Sequence, residues 1–380
     1  MQPPHAATGP RRVVVDLLSY TGRKGGMETY TRELYRAMGE LVPDVEFVGF
    51  ASRELARALD STWFPGRIVD SGVSGEDRWS WARAELFAVS RFARDNAADI
   101  VHCPATLGPR RSPTPIVYTM HDMNYFTMPE LMRVKAYNKP VQWMERQASR
   151  TASRIITDST ASAEDIVEYL RFPRESIDVV QLAGTPTTAR VTRSPDPSRP
   201  LFLGMGSRIW HKNWPLLIEA VSLIPEERRP RVVITGGREP DPLRPLVEAA
   251  GLAPWIDLRD WVSDEEVADL LGRATALVVP VLRDGYCLPA VEAMIAGVPL
   301  VLSDIGLLHE IAEDAAVYFD PRSADDLAKT LERVGGDPTL ARDLARRSRR
   351  RSEHFSWRTT AEETFASIER AWSEDPRRLR

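Results

Sequence analysis

One stretch of the chain, residues 278–302, constrains the fold more than any other. It reads VVPVLRDGYCLPAVEAMIAGVPLVL, which predicts the end of a buried strand, a loop, a short helix and a second strand. Pro289 suits the first turn of that helix, because its missing N–H needs no partner there. Gly297 suits the helix end, where glycine adopts a left-handed conformation without steric cost. Asp284 and Glu292 then lie at the carboxyl ends of parallel strands, where open α/β sheets bind ligands.

Chain length and one polar segment indicate two domains. The chain has 380 residues, which is long for a single hydrophobic core and fits two domains. Residues 183–200 read AGTPTTARVTRSPDPSRP. This segment is rich in proline and lacks helical or strand periodicity, as is typical of an interdomain linker. We therefore expect a domain boundary close to residue 190.

Charge and cysteine content exclude several classes of protein. The formal net charge of −4 argues against general affinity for nucleic acid or an anionic membrane. Cys103 and Cys287 offer neither a disulfide framework nor zinc-ligand spacing, which favours a reducing, cytosolic setting. Residues 1–10 lack the apolar segment of a signal peptide, and no apolar run approaches the roughly 20 residues of a membrane span. We expect a cytoplasmic protein.

A glycine-bearing loop follows the first predicted strand. Residues 12–18 predict that strand, residues 27–38 carry apolar side chains at helical spacing, and the loop between them contains Gly25 and Gly26. Such a turn suits a phosphate, because the backbone can approach it closely and N–H groups at the helix start point at the anion. The spacing is not that of a P-loop. A plain tight turn between strand and helix is the alternative.

A histidine follows another predicted strand. Residues 116–120 predict the strand, His121 and Asp122 come next, and an aromatic loop follows at residues 124–126. A lone histidine is more often structural than functional. Its place at the carboxyl end of a core strand, followed at once by Asp122, favours a role in ligand binding.

The segment 78–94 is rich in tryptophan and arginine and predicts one helix. Such a helix either lies on a membrane surface or packs on the core while arginine stems cover it. We favour packing on the core.

Five motifs in this order make the sequence similar to the GT4-type retaining glycosyltransferases, which have the GT-B fold. The resemblance covers nearly the whole chain. The motifs are Gly25–Glu28, His121–Asp122, Gly206–Asn213, Asp284–Met294 and Phe355–Trp357.

The resemblance implies an α/β protein with two Rossmann-like domains that face each other across a cleft. A C-terminal helix would cross back to the first domain. Residues 1–190 with 357–380 would form the N-terminal, acceptor-binding domain. Residues 191–356 would form the C-terminal domain that binds the nucleotide sugar.

The resemblance also implies an activity. The enzyme would move a hexose, with retention of anomeric configuration, from a GDP- or UDP-hexose to a hydroxyl group. The acceptor would be sugar-containing, a secondary metabolite or lipid-linked. We expect no metal and no cofactor beside the nucleotide sugar, no nucleic acid partner and no stable membrane insertion. A peripheral place on the inner face of the membrane is compatible with the cytoplasmic location.

Roles for individual residues follow from the same resemblance. Cations at the diphosphate favour the departure of an anionic leaving group, and Arg208 and Lys212 look like the family's pair. The expected catalytic residues are Arg208, Lys212, His121 and Asp284. The expected donor-binding residues are Gly25, Gly26, Asp264, Gly285, Tyr286, Cys287, Leu288 and Glu292. The expected acceptor-binding residues are Glu28, Asp122 and Tyr125.

Two positions depart from the family pattern. Asp284 is one methylene shorter than the family's glutamate, and Cys287 stands where the family has glycine, which adds a side chain at a close backbone approach. We expect these positions to alter donor choice. The alternatives are a catalytically altered sugar-nucleotide-binding protein, an epimerase-like or phosphorylase-like enzyme on the same fold, and a membrane-surface enzyme with a lipid acceptor.

Overall fold

A computed structural model describes residues 9–22, 25–58, 61–129, 135–184, 192–196 and 198–375. The chain divides into two compact units. The first unit comprises residues 1–182 and 356–380, and the second comprises residues 183–355. Much of the predicted linker, residues 185–191 and 197, lies outside the described residues, as do residues 1–8 and part of the loop before Gly25.

The first unit is built on a parallel sheet. Its strands are β1 (Arg12–Leu17), β2 (Glu46–Ala51), β3 (Arg67–Asp70), β4 (Ile100–Cys103), β5 (Ile116–Thr119), β6 (Arg154–Thr157) and β7 (Ile177–Val179). Within the described residues, their order in the sheet is β3-β2-β1-β4-β5-β6-β7. The chain order therefore reverses at β1, which pairs with β2 on one side and with β4 on the other. Such a reversal opens a crevice at the carboxyl ends of the strands.

Helices cover the sheet of the first unit. They are α1 (Gly26–Leu41), α2 (Arg53–Ala56), α3 (Arg78–Phe87), α4 (Val89–Asp95), α5 (Asn124–Thr127), α6 (Lys135–Thr151) and α7 (Thr160–Leu170). Val13, Val14 and Val15 are all fully buried, as expected for a strand with helices on both faces. β1 therefore lacks the alternation of buried and exposed side chains that is typical of a strand with one face in solvent.

Residues 78–94, predicted as one helix, form two helices in the structure. The helix is interrupted at Ala88, which separates α3 from α4. Ala84 and Glu85 are buried, whereas Trp79 and Phe87 are exposed. The expected packing on the core is therefore correct for one face of α3, and the aromatic residues of the other face contact solvent.

The second unit repeats the same architecture. Its strands are β8 (Leu201–Met205), β9 (Arg231–Thr235), β10 (Ile256–Leu258), β11 (Ala276–Val279), β12 (Leu300–Ser303) and β13 (Ala316–Phe319). For the part of the chain that the structure describes, they form a parallel sheet in the order β10-β9-β8-β11-β12-β13. The chain order reverses at β8, which pairs with β9 and with β11. A second switch-point crevice therefore lies between β8 and β11.

The helices of the second unit are α8 (Trp214–Leu223), α9 (Arg244–Ala249), α10 (Asp264–Arg273), α11 (Leu288–Ile295), α12 (Gly306–Ala312), α13 (Ala324–Gly336) and α14 (Pro338–Ser352). Leu217, Val221 and Leu327 pack with Phe202 and Phe319 of the sheet in one fully buried core. The predicted strand, loop, helix and strand of residues 278–302 are confirmed as β11, a loop, α11 and β12.

The last helix, α15 (Trp357–Ser373), belongs to the first unit. It packs against α1 and buries Phe365, Ile368 and Trp372. The chain therefore leaves the first unit near Leu182 and returns to it near Ser356.

Among the described residues, no helix is both long enough and apolar enough to cross a membrane.

Candidate functional site

Two loops of the second unit bring opposite charges together. The loop after β8 ends in a short 3₁₀ helix, Trp210–Lys212, and the loop after β11 carries Asp284. Lys212 Nζ donates to Asp284 Oδ2 at 2.5 Å, and the two side chains are 16% and 11% exposed. Because β8 and β11 are neighbours, this ion pair lies at the carboxyl end of the switch point of the second sheet.

The start of α11 lies next to this pair. Cys287 is the N-cap residue, it makes no side-chain cap hydrogen bond, and proline occupies the first turn. Burial raises the pKa of the Cys287 thiol to about 12, and the Asp284 charge adds to the effect. The thiol is therefore neutral and lies inside the protein, at the positive end of the α11 dipole.

His211 lies beside Lys212 and is also buried. Burial lowers the pKa of His211 to about 4, and the charge of Lys212 lowers it further than Asp284 raises it. The imidazole is therefore neutral near pH 7, and Lys212 is the positive group of this short segment.

Arg208 lies in the same loop, but its side chain points into the fold. Its Nε donates to the Asp241 carboxylate at 3.0 Å. Its Nη1 donates to the carbonyls of Gly206 and Thr235, and its Nη2 donates to those of Ile234 and Arg259. All five N–H groups of the guanidinium are thus used within the protein.

Glu292 is half-buried in α11, four residues after its first residue. The helix lies close to Gly184, where a Cβ atom would come within 3.1 Å of both Glu292 Cγ and Glu292 N. Glycine at 184 therefore permits the chain to pass this close to α11.

Asp264 is an exposed residue in the first turn of α10, whose N-cap is Ser263. It follows the loop after β10, on the same edge of the sheet as the loops after β8 and β11. Its expected role in binding the donor stays a prediction.

In the first unit, His121 is held by two acceptors. Its Nδ1 lies 2.6 Å from Asp158 Oδ2, and its Nε2 lies 3.1 Å from the Pro104 carbonyl. Burial by itself would lower the pKa of His121, but the charge and hydrogen bond of Asp158 outweigh it and raise the pKa. The ring also meets Tyr30 edge-on, with centroids 4.8 Å apart.

Glu28 lies near the start of α1 and closes the loop that precedes it. Its Oε1 accepts from Thr21 N at 2.5 Å, from Thr21 Oγ1 at 3.1 Å and from Gly22 N at 3.0 Å. Gly25 has a φ of +61°, a conformation that favours glycine. Glycine at 25 therefore suits the backbone conformation at the start of α1, and the expected phosphate contact at Gly25 and Gly26 stays a prediction.

Asp122 and Tyr125 lie near Glu145, an acid that sequence reasoning had not identified. Asp122 Oδ1 accepts from Asn124 N at 2.9 Å. Glu145 of α6 is buried, and burial raises the pKa of its carboxyl well above the ordinary value, with the Asp122 charge adding to the effect. The charge of Glu145 also contributes, after burial, to the raised pKa of Tyr125.

The described residues contain no group of three or more His, Cys, Asp or Glu side chains arranged to hold a metal ion.

Two family models match successive parts of the chain. The model "Glycosyltransferase Family 4" matches residues 24–183, and "Glycosyl transferases group 1" matches residues 188–351. The chain belongs to the GT4-type glycosyltransferases. It is therefore a transferase of carbohydrate biosynthesis, and the resemblance proposed from five motifs is confirmed.

A relative is similar over nearly the whole chain, and solved structures share its fold. The MMP α-(1→4)-mannosyltransferase of Mycolicibacterium hassiacum is 29% identical, over 94% of this chain and 98% of the relative. Sucrose-phosphate synthase from Thermosynechococcus elongatus superposes with a TM-score of 0.76 at 16% identity, over 96% of this chain and 99% of that chain. Anabaena HepE in complex with UDP-glucose superposes with a TM-score of 0.71 at 18% identity, over 93% of this chain and 98% of that chain. These structures establish the predicted GT-B fold.

The structure brings some of the expected site residues of the second unit together. Lys212 and Asp284 meet, and both lie beside the α11 start. The guanidinium of Arg208 hydrogen-bonds to Asp241 and four carbonyls, and its expected role as a phosphate ligand stays a prediction. Its place within the fold is to fix the loop that carries Lys212.

Two acids that sequence reasoning missed hold the predicted basic residues. Asp241 binds Arg208, and Asp158 binds His121. Asp158 directly follows β6, so a carboxylate after a buried strand was a signal that could have identified it. Asp241 stands between two prolines in the loop after β9, and nothing in that pattern indicates its partner.

Proposed function

We propose that this glycosyltransferase moves a hexose, with retention of configuration and without a metal, from a nucleotide-diphosphate sugar to a hydroxyl acceptor. The observation that carries the proposal is the pair of Lys212 and Asp284 at the switch point of the second sheet, beside the start of α11.

Lys212 supplies the charge that the leaving group needs. A nucleoside diphosphate gains negative charge as the glycosidic bond breaks, and a cation already in place stabilises that charge in the transition state. In the present arrangement the ammonium is neutralised by Asp284 at 2.5 Å. When the diphosphate binds, the Lys212 ammonium would pair with it instead of with Asp284. The Asp284 carboxylate could then accept a hydrogen bond from a sugar hydroxyl.

The first turn of α11 would bind the same ligand from the opposite side. Its N-cap, Cys287, makes no side-chain cap hydrogen bond, and a helix N-terminus favours an anion. Residues 285–288 would contact the sugar or phosphate through the backbone, and Glu292 would accept from the ribose hydroxyls.

No protein nucleophile enters the proposed reaction. Cys287 is buried and its pKa is raised to about 12, which makes it a poor nucleophile. The acceptor hydroxyl would attack on the face from which the diphosphate leaves, and the departing phosphate oxygen would take its proton. This route retains the configuration of the anomeric carbon.

His121 of the first unit would contact the donor sugar. His121 donates through Nε2 to the Pro104 carbonyl, and we propose that a donor-sugar hydroxyl replaces this carbonyl when the sugar binds. Asp158 would hold the ring in place during the exchange.

The donor base and sugar are proposed from the relatives. A mannosyltransferase is among the relatives, and the solved structure of HepE holds UDP-glucose. These names support a UDP- or GDP-hexose as donor, and Asp264 is the residue we propose to contact the base.

A donor panel tests the proposal. Thermal unfolding is measured with UDP, GDP and dTDP and with their glucose and mannose conjugates, followed by donor hydrolysis and transfer assays. We expect one nucleotide series to raise the unfolding temperature, since a ligand that binds the native state stabilises it. If one series binds but donor is neither hydrolysed nor transferred, the protein would be a sugar-nucleotide-binding module and the proposal would be wrong.

The finer parts of the proposal have their own tests. Nuclear magnetic resonance of the product should show the same anomeric configuration as the donor, and an inverted product would overturn the retaining mechanism. The rate should be unchanged in excess EDTA, whereas loss of activity that Mg²⁺ or Mn²⁺ restores would overturn metal independence.

A further inference from the structure

Arg208 and Asp241 form a buried ion pair in the second unit. Their side chains are 5% and 2% exposed, and Arg208 Nε donates to Asp241 Oδ2 at 3.0 Å. The other carboxylate oxygen, Oδ1, accepts from Leu243 N at 3.0 Å. A buried ion pair offsets the loss of its hydration only when its geometry is good and its remaining donors and acceptors are satisfied. Both conditions hold for this pair.

The guanidinium joins the ends of three strands. Its Nη1 donates to the carbonyls of Gly206 and Thr235 at 3.2 and 2.8 Å, and its Nη2 donates to those of Ile234 and Arg259 at 2.9 and 3.2 Å. These carbonyls lie at or directly after the carboxyl ends of β8, β9 and β10, which are neighbours in the sheet. With the bond to Asp241, all five N–H donors of the side chain are used. A phosphate would bind this guanidinium only by replacing one of these partners.

The turn after β9 leaves room for the ion pair. A Cβ atom at Gly237 would lie 2.6 Å from Asp241 Oδ2 and 2.9 Å from Arg208 Nη2. Both distances are well below a van der Waals contact of about 3.5 Å, so a side chain at this position would displace one of the two charged groups. An alanine at 237 would therefore disturb the pair without removing a charge.

Lys212 lies on a single turn of 3₁₀ helix, whose N-cap, Ile209, directly follows Arg208. Lys212 N donates to the Ile209 carbonyl at 3.0 Å, and Asn213 N donates to the Trp210 carbonyl at 3.0 Å. A single helical turn is unstable by itself, because it fixes several dihedral angles for very few hydrogen bonds. The position of this turn therefore depends on the contacts that hold its two ends.

Those contacts come from both neighbouring loops. Arg208 ties the beginning of the turn to the three strand ends. On the other side, Leu282 N donates to the His211 carbonyl at 2.8 Å, which joins the turn to the loop that carries Asp284. We refer to Arg208, Asp241 and the space that Gly237 leaves for them as the Arg208 anchor.

We propose that Arg208 and Asp241 are positioning residues that hold Lys212 at the diphosphate site, and that Arg208 does not itself contact the phosphate. This role differs from the one that the family resemblance implies for Arg208. The inference rests on the proposed function for the role of Lys212. The order of the loop can be measured without any ligand, so the two proposals can fail separately.

Asp241→Asn separates positioning from direct phosphate contact. If Arg208 anchors the loop, loss of the carboxylate charge weakens the anchor, and the affinity for a nucleoside diphosphate falls. If Arg208 leaves Asp241 to bind phosphate, the carboxylate competes with the ligand, and its loss keeps or raises that affinity. Gly237→Ala repeats the test with both charges in place. Asp178→Asn is the control, because it changes the buried partner of another arginine, Arg154, in the first unit.

Hydrogen exchange, calorimetry and donor hydrolysis are measured for each variant. In Asp241→Asn and Gly237→Ala, the amides of Lys212 and Asn213 should exchange about tenfold faster without ligand, since exchange reports local opening. The dissociation constant for UDP or GDP should rise about tenfold. The rate of hydrolysis of UDP-glucose or GDP-mannose should fall about 10²-fold, as for a misplacement of about 1 Å. Asp178→Asn should lower the unfolding temperature but change none of these values.

Three results would contradict the anchor. Unchanged exchange at Lys212 and Asn213 in both variants would show that the loop does not depend on the ion pair. Unchanged or tighter nucleotide binding in Asp241→Asn would assign Arg208 to the phosphate. An equal loss of affinity in Asp178→Asn would reduce the effect to general stability. A wild-type protein that binds neither UDP nor GDP would refute the proposed function, and the exchange rates alone would then decide whether Arg208 anchors the loop.

Discussion

At the scale of single residues, burial distinguishes two ion pairs of the same length. Lys212–Asp284 and Lys329–Asp325 have the same Nζ to Oδ2 distance of 2.5 Å. The second pair is 70% and 69% exposed, against 16% and 11% for the first. An exposed pair contributes little because water and salt screen it, whereas a shielded ammonium acts strongly on any charge that forms beside it.

The two lysines give a matched test. Lys212→Ala should lower the rate of transfer by about 10²-fold or more, the range seen when one transition-state contact is removed. Lys329→Ala should leave the rate unchanged. Turnover and acceptor KM are measured for both variants, with thermal unfolding as the check on folding. Near-normal turnover in folded Lys212→Ala would contradict the assigned role.

The two cysteines should be unreactive in the folded protein. Cys103 and Cys287 are buried, and burial raises the pKa of Cys287 to about 12. Only the thiolate reacts, so iodoacetamide at about pH 8, near the ordinary thiol value of about 8.5, should modify neither. Mass spectrometry should find both labelled in denaturant. Labelling of Cys287 under native conditions would show that the start of α11 opens to solvent.

At the scale of elements, the helix that carries Glu292 has the local signals that the sequence predicts. Proline occupies the first turn of α11, and Gly297 follows its end with a φ of +68°. A Cβ atom at Gly297 would also collide with Arg349 of α14. The left-handed turn and the packing of α14 therefore require glycine at the same position.

Gly297→Ala tests this requirement. The variant should lower the free energy of unfolding by about 1–2 kcal/mol, from the left-handed strain of a non-glycine residue, and the collision with Arg349 should add to it. Gly336→Ala is the control, because Gly336 ends α13 and a Cβ there meets nothing within 4 Å. Chemical denaturation of both variants measures the difference, and equal stability would show that Gly297 is not constrained.

At the scale of the whole molecule, Asp178 fastens the returning C-terminal helix to the first unit. Arg154 Nε and Nη2 donate to its two oxygens at 2.9 and 3.0 Å. From α15, Ser367 Oγ donates at 2.6 Å, and Arg370 Nη2 lies at 2.9 Å. Burial alone would raise the pKa of Asp178, but these partners outweigh it and lower the pKa.

This cluster predicts a loss of stability in acid. A carboxyl with a lowered folded-state pKa stabilises the fold above its ordinary value of 3.8 and loses that effect as the pH falls through the lowered value. Asp178→Asn should lower the free energy of unfolding by about 1–3 kcal/mol near pH 7 and flatten its dependence on pH in that acid range. Asp325→Asn, at an exposed pair, should do neither. A variant with wild-type stability would show that α15 does not depend on Asp178.

The sequence predicts three features of this protein, because each depends on local patterns. They are the glycosyltransferase family, the parallel α/β architecture and the α11 segment. Apolar runs specify buried strands, and proline and glycine mark helix ends. The positions of Lys212 and Asp284 were predictable for the same reason, since residues that follow neighbouring parallel strands meet at one edge.

The direction of each side chain was decided by tertiary structure. Arg208 and Lys212 are equally basic and four residues apart, yet Arg208 turns to Asp241 and Lys212 turns to Asp284. His121 pairs with Asp158, which directly follows β6, and burial raises the pKa of the Glu145 carboxyl well above its ordinary value. The physical reason is that hydrogen-bond partners and burial depend on residues distant in sequence, whereas strands, turns and helix ends depend on residues nearby.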